Sequence, residues 1–145
     1  QMVEAEAYGP LGTWMTAHYG IVSQHTAIIE MAACAGLPLV EGHQDPEKTT
    51  TFGVGQLMLD AVKRGCRKII VGLGGSCTND GGAGAASACG AKFYDAEGRA
   101  FTPVGGTLNH IARVDLSGLK TQLKGIELVA TERRPDGTLQ TVFRF

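Results

Sequence analysis

The chain is short of aromatic residues and of net charge: aromatics make up 6% of it, and the formal net charge is -1. Without a basic excess there is no electrostatic footprint for a phosphodiester backbone, so nucleic-acid binding is not expected. Without a block of like charge there is no acidic or basic tail. No apolar run reaches the length that crosses a bilayer, and no signal peptide opens the chain, so no membrane segment is expected either. Cysteines stand at positions 34, 66, 77 and 89, with no CxxC pair and no His at metal-ligand spacing. That argues against structural zinc and for reduced thiols in a cytoplasmic protein.

What is present suits a folded lobe. Hydrophobic residues are 43% of 145, enough for one core, and residues 1–145 read as a single lobe. The opening QMVEAEAYGPLG has no initiator Met and resembles the interior of a protein, so a piece of something larger is expected. Residues 2–8 alternate as a strand, and a turn at Gly9-Pro10-Leu11-Gly12 leads to a second strand near 13–19, giving a hairpin. TAIIE at 26–30 reads as a strand running into a small-sided helical turn that ends at Gly36, and EGHQDPEK as a loop.

FGVGQLMLDAVKRG then carries Val54, Leu57, Met58, Ala61 and Val62 at helical spacing, with Gly65 as the stop and Thr49, Thr50 and Thr51 as candidate N-caps. KIIVGL is a buried strand, and DGGAGAASACG a short helix. AKFYDAEGRAF holds a strand and a turn, and GTLNHIARVD another short helix. The end folds back as a hairpin about Pro135-Asp136-Gly137. Alternating helices and strands between two terminal hairpins predict an α/β fold, a mixed sheet with helices packed on it.

Glycine is the abundant residue, 21 in all, and it clusters in VGLGGSCTNDGGAG at 71–84. Glycine loses the most freedom on folding, so such a cluster needs a tight turn or a ligand close to the backbone. A strand, a glycine-rich turn and a helix in succession present N–H groups to an anion. Gly74 and Gly75 remove side chains that would hold a ligand off, and Ser76, Thr78 and Asn79 add donors. Asp80 is suited to a metal or a substrate hydroxyl. No Gly-Lys-Ser/Thr follows, so the loop is not a Walker A, and it fits a dinucleotide fingerprint poorly. A plain turn with close helix–strand packing is the alternative. TTTFGVGQ is a second anion candidate, through Thr50, Thr51 and Gly53 at a helix N-terminus, with simple N-capping as its alternative. Glu30 closes an apolar strand and reads equally as a pocket or an edge carboxylate. His18, His25, His43 and His110 are scattered without a partner pattern.

Taken together, GPLG, TAIIEMAACAGL, TTTFGVGQLMLDAVKRG, KIIVGLGGSCTNDGGAG and ARVDLSGL resemble the bacterial glycerate kinase type I family, most strongly over residues 9–119. The resemblance implies part of a larger two-domain α/β enzyme that uses ATP and Mg²⁺ to phosphorylate D-glycerate to 2-phosphoglycerate in a cleft between its domains. It implies Asp80 as the catalytic and metal-binding residue. Substrate or phosphate binding falls to Gly74, Gly75, Ser76, Thr78, Asn79, Gly81 and Gly82, together with Thr50, Thr51 and Gly53. Val54 and Gln56 depart from the family, which carries a small hydroxyl residue and a carboxylate at those places. Nothing here matches the family's opening DSFKGSLSA-like segment, and residues 130–145 do not match its continuation. The expectation is one wall of a kinase cleft, incomplete for catalysis alone and able to self-associate through its exposed face. The alternative is a non-catalytic ligand-binding or structural fragment of that fold.

Overall fold

The computed structural model describes residues 1–23 and 25–144. Strands β1 (Met2–Tyr8) and β2 (Trp14–Val22) form the expected hairpin, and β2 pairs antiparallel with β3 (Thr26–Glu30). Next come a single helical turn, α1 (Ala32–Ala35), and a 3-10 turn at Leu37–Val40. Helix α2 (Phe52–Lys63) leads to β4 (Lys68–Gly72), which lies parallel to β3. After the glycine loop come α3 (Ala83–Ala88), β5 (Lys92–Tyr94) and β6 (Ala100–Phe101). A 3-10 turn at Gly105–His110 precedes β7 (Arg113–Asp115) and α4 (Ser117–Gln122). The last hairpin joins β8 (Glu127–Arg133), parallel to β4, to β9 (Leu139–Arg144), antiparallel to β8.

The main sheet therefore runs β1-β2-β3-β4-β8-β9, mixed in direction with a hairpin at each side, as the alternation in the sequence led one to expect. Each strand points alternate residues to opposite faces. From β3 and β4 the inner set is Ala27, Ile29, Ile69 and Val71, all buried. Against it α2 sets the apolar stripe Val54, Leu57, Met58 and Ala61, and Leu119 of α4 and Leu123 just after it join from the side. Parallel strands are ordinarily covered on both faces. Here the opposite face leaves Ile28 39% exposed, with Met2 and Val22 also open. Among the described residues no helix is long and apolar enough to cross a membrane.

Three local expectations need correction. Arg113–Asp115, read as the end of a short helix, is strand β7, because Val114 pairs with Phe93 in a small sheet of order β6-β5-β7. Helix α4, which packs its Leu119 inward, was not expected from its six-residue span. Thr51 is the N-cap of α2 by position, yet its hydroxyl does not cap that helix. It is drawn into a neighbouring turn instead.

Candidate functional site

Strands β3, β4 and β8 run parallel, and at their C-terminal edge Glu30 and Gly72, the last residues of β3 and β4, stand in register with Thr131 of β8. The glycine loop leaves from this edge, the place where open α/β sheets bind ligands. Its first half is anchored by backbone. The Leu73 N–H donates to the Thr131 carbonyl at 2.9 Å, and the Cys77 N–H to the Ala35 carbonyl at 2.9 Å. Gly36 bridges Ser76, which ties α1 to the loop. Between these anchors Gly74 and Gly75 are exposed, and so are Asn79 and Gly81 further on. Among the described residues the N–H groups of these four find no acceptor. Ser76 and Thr78 are half-buried and share a hydroxyl–hydroxyl bond of 2.7 Å, with the Thr78 N–H donating to Ser76 Oγ at 3.1 Å.

Asp80 lies on the other side of this loop. It is 1% exposed, and its carboxylate accepts four hydrogen bonds. Oδ2 takes the Thr51 N–H and the Thr51 hydroxyl at 2.8 Å each, and the Gly84 N–H at 3.1 Å. Oδ1 takes the Gly82 N–H at 3.0 Å. The Thr51 hydroxyl in turn accepts from the Ala85 N–H at 2.9 Å. A buried carboxylate needs such partners, because leaving it bare would cost several kcal/mol. Asp80 thus latches the start of α2 to the start of α3. The resemblance implied a metal or substrate contact for this residue; in the structure its hydrogen bonds go to Thr51, Gly82 and Gly84.

The second candidate segment faces inward as well. A Cβ on Gly53 would stand 1.9 Å from the Tyr8 carbonyl oxygen, so Gly53 is the price of packing α2 against β1. Gly84 is confined likewise, at 2.3 Å from Thr50 Oγ1. Thr49 donates to the Cys77 carbonyl at 2.8 Å, and Thr50 Oγ1 accepts from the Phe52 N–H at 3.1 Å. The departures fit the same packing: Val54 is buried in the core, and Gln56 Oε1 accepts from the Tyr8 N–H at 2.7 Å. The structure therefore brings Thr51 and Asp80 together, and it leaves Gly74, Gly75, Asn79 and Gly81 at the surface. Gly82, half-buried at a φ of 78°, is the N-cap of α3.

Magnesium fits this arrangement poorly. No group of three or more His, Cys, Asp or Glu able to hold a metal is found among the described residues, and Asp80 is already occupied by donors. Exposed Glu30 is a carboxylate at the sheet edge beside the loop. Sequence reading left its place open, since a strand-end carboxylate shows nothing of which strands lie beside it. The thiols are quiet: burial pushes Cys34 up to about 12 and Cys89 up to about 11. Near the loop a cavity of about 720 Å³ touches Gly81 and Gly82, but its walls are otherwise mostly apolar, with Leu119, Leu123, Leu128 and Phe143 among them.

The sequence profile described as the glycerate kinase family matches residues 1–132. The chain is 49% identical over 118 residues to the glycerate 2-kinase of Escherichia coli (strain K12), covering 80% of this chain and 31% of that protein. It is 42% identical over 130 residues to the glycerate kinase of Bacillus subtilis (strain 168), covering 88% and 34%. The crystal structure of a glycerate kinase 2 from Salmonella typhimurium LT2 superposes with a TM-score of 0.84 at 42% identity, covering 90% of this chain and 35% of that one. The chain spans about a third of the length of these relatives. With the glycine loop, its anchors and the sheet edge all in the arrangement described, the chain belongs to the glycerate kinase family.

Proposed function

We propose that this chain supplies the glycine-loop wall of a kinase site that transfers the terminal phosphoryl group of ATP to a hydroxyl of D-glycerate, giving 2-phosphoglycerate. The observation that carries the reading is the row of exposed N–H groups at Gly74, Gly75, Asn79 and Gly81, set at the C-terminal edge of parallel strands. Unpaired backbone N–H groups at such an edge favour a carboxylate or a phosphate. Asn79 adds a side-chain amide, and the Ser76–Thr78 hydroxyl pair adds polar contacts at one side. Asp80 keeps the loop in shape through Gly82, Gly84 and Thr51, without itself touching the ligand.

Phosphoryl transfer rests on positioning and charge stabilisation, and charge on the phosphates would be balanced by Mg²⁺ in the complete site. The residues described here do not form a resident site for that ion, so no step is assigned to it. One wall is insufficient for transfer by itself, because reacting groups must be held within a fraction of an ångström.

The test is an amide NMR titration of the chain with D-glycerate, inorganic phosphate and ATP, alongside a coupled ADP-release assay. Shifts concentrated at 74–81 without turnover are expected. Shifts confined to other regions would remove the loop from the site, and turnover by the isolated chain would overturn the view that one wall is insufficient.

A further inference from the structure

The apolar cavity of about 720 Å³ lies between α2, α3, α4 and the hairpin of β8 and β9, and phosphoryl transfer gives it no role. Close backbone packing on either side of α3 explains it. A Cβ on Gly55 of α2 would stand 2.3 Å from the Ala85 carbonyl oxygen, so α3 meets α2 with small residues. Its sequence AGAASA carries nothing larger than serine, which leaves Ala85 and Ala86 too short to reach α4 across the gap. At one end α4 is already in contact with the residue that follows Cys89: a Cβ on Gly118 would stand 2.4 Å from the Gly90 carbonyl oxygen. Leu116, Leu119, Lys120 and Leu123 all line the cavity and follow at helical spacing, so one face of α4 is turned to it. Leu128 and Phe143 form the wall opposite. Lys120 is the one charged residue in the lining and is exposed. The ion pairs that lysines make among the described residues are those of Lys48 and Lys68.

We propose that this cavity binds a straight-chain aliphatic carboxylate of about eight to ten carbons, a size that suits its volume. The tail lies against the leucines and the head meets Lys120 at the rim. Each methylene moved from water onto apolar walls adds to affinity, whereas water between such walls finds few hydrogen-bond partners. The sign of the head follows from Lys120, a compact cation with no competing charge in the lining. A sugar or a nucleotide is excluded by the same walls, which would strip its polar groups of partners. D-glycerate has no aliphatic tail, so this ligand is distinct from the proposed substrate. The inference does not rest on phosphoryl transfer, since Lys120 and the leucines take no part in the glycine loop.

Isothermal titration calorimetry of the chain with hexanoate, octanoate and decanoate, each below its micelle concentration, tests it, with octanol and octylamine as controls for the head. One carboxylate binds per chain, and affinity rises roughly fourfold with each added methylene. Octylamine binds more weakly than octanoate. Lys120→Gln weakens octanoate about two- to fivefold, as loss of an exposed charge does, and leaves octanol unchanged. Ala86→Leu fills part of the space and weakens decanoate about tenfold or more, with its melting temperature read alongside. Should that variant unfold, Leu116→Ser at the 43% exposed rim takes its place, with the same direction of effect. Absence of binding overturns the proposal, as does affinity that ignores chain length or an amine bound as well as the acid. Several carboxylates per chain, indifferent to Lys120→Gln and Ala86→Leu, also overturn it, since they would be adsorbed on the surface. Binding that only tracks the break-up of self-associated chains in light scattering would give the cavity to a second copy and overturn it likewise.

Discussion

At the junction of α2 and α3 a carboxylate 1% exposed is met by four donors, whereas in the hairpin of β8 and β9 apolar side chains face water. Leu139 is 68% exposed and Val142 52%. The hairpin's charges reach water too: half-buried Glu127 accepts from Arg144 Nε at 2.7 Å and lies 3.6 Å from Lys68 Nζ of β4. The first region joins elements distant in sequence, since Thr51 and Asp80 lie 29 residues apart, and it is desolvated. The second is wet. Hydrogen bonds weigh more where water cannot replace them, so the same chemical groups decide the fold in one place and trim it in the other.

Asp80→Ala carries the largest expected effect. It strands the Thr51 and Gly84 donors and should cost roughly 3–5 kcal/mol, read as a lower urea midpoint. In a full-length relative the matching Asp→Asn change should reduce both stability and turnover. Lost turnover with unchanged stability would show that the carboxylate touches the ligand after all, and the contrast between the two regions would lose its main support.

Gly84→Ala comes next. Its Cβ would meet Thr50 Oγ1 at 2.3 Å and Asp80 Oδ2 at 2.7 Å, forcing the latch apart. Overpacking of this kind costs about 1–3 kcal/mol or somewhat more, measurable by thermal unfolding. A neutral result would mean that α2 and α3 slide freely against each other.

Acid sharpens the comparison at the hairpin. The hydrogen bond from Arg144, aided by charge from Arg144 and Lys68, holds Glu127 below the usual carboxylate range. A depressed folded value means stability that is present above the unfolded pKa and lost as pH falls through the folded one. Wild type should therefore lose hairpin order on the acid side of pH 4.3 or so, the ordinary Glu value. Glu127→Gln should flatten that dependence, followed by NMR shifts of β9 against pH. Solvent screening keeps the effect small.

Val142→Lys is expected to do least to the fold, within about 0.5 kcal/mol. Its consequence lies in association: β9 is an edge strand with exposed apolar side chains, and a charge there blocks edge pairing. Light scattering should show less self-association in this variant. An unchanged mass distribution would move any self-contact to the open face bearing Ile28.

Much of the fold was legible because its signals are local. Period-two alternation marked β1, period-3.6 spacing marked α2, and Pro135-Asp136-Gly137 marked the final turn. β7 and α4 were less legible. Three- and six-residue elements carry too few periods to declare themselves, and Val114 becomes a strand residue only by meeting Phe93. At the site, the glycines and small polar residues announced a loop that needs its backbone, and the family signature made them distinctive.

The sequence by itself determined the element order, the inward stripe of α2 and the presence of a glycine loop after a buried strand, because these follow from side-chain periodicity and backbone freedom along the chain. Tertiary structure decided which way each polar group faces. Thr51 looked like a cap for its own helix until α3 came alongside and took its hydroxyl, and burial surrounded Asp80 with donors that its place in the sequence does not show. A polar side chain serves whichever unpaired partner the packing brings within reach, and that partner lies elsewhere in the chain.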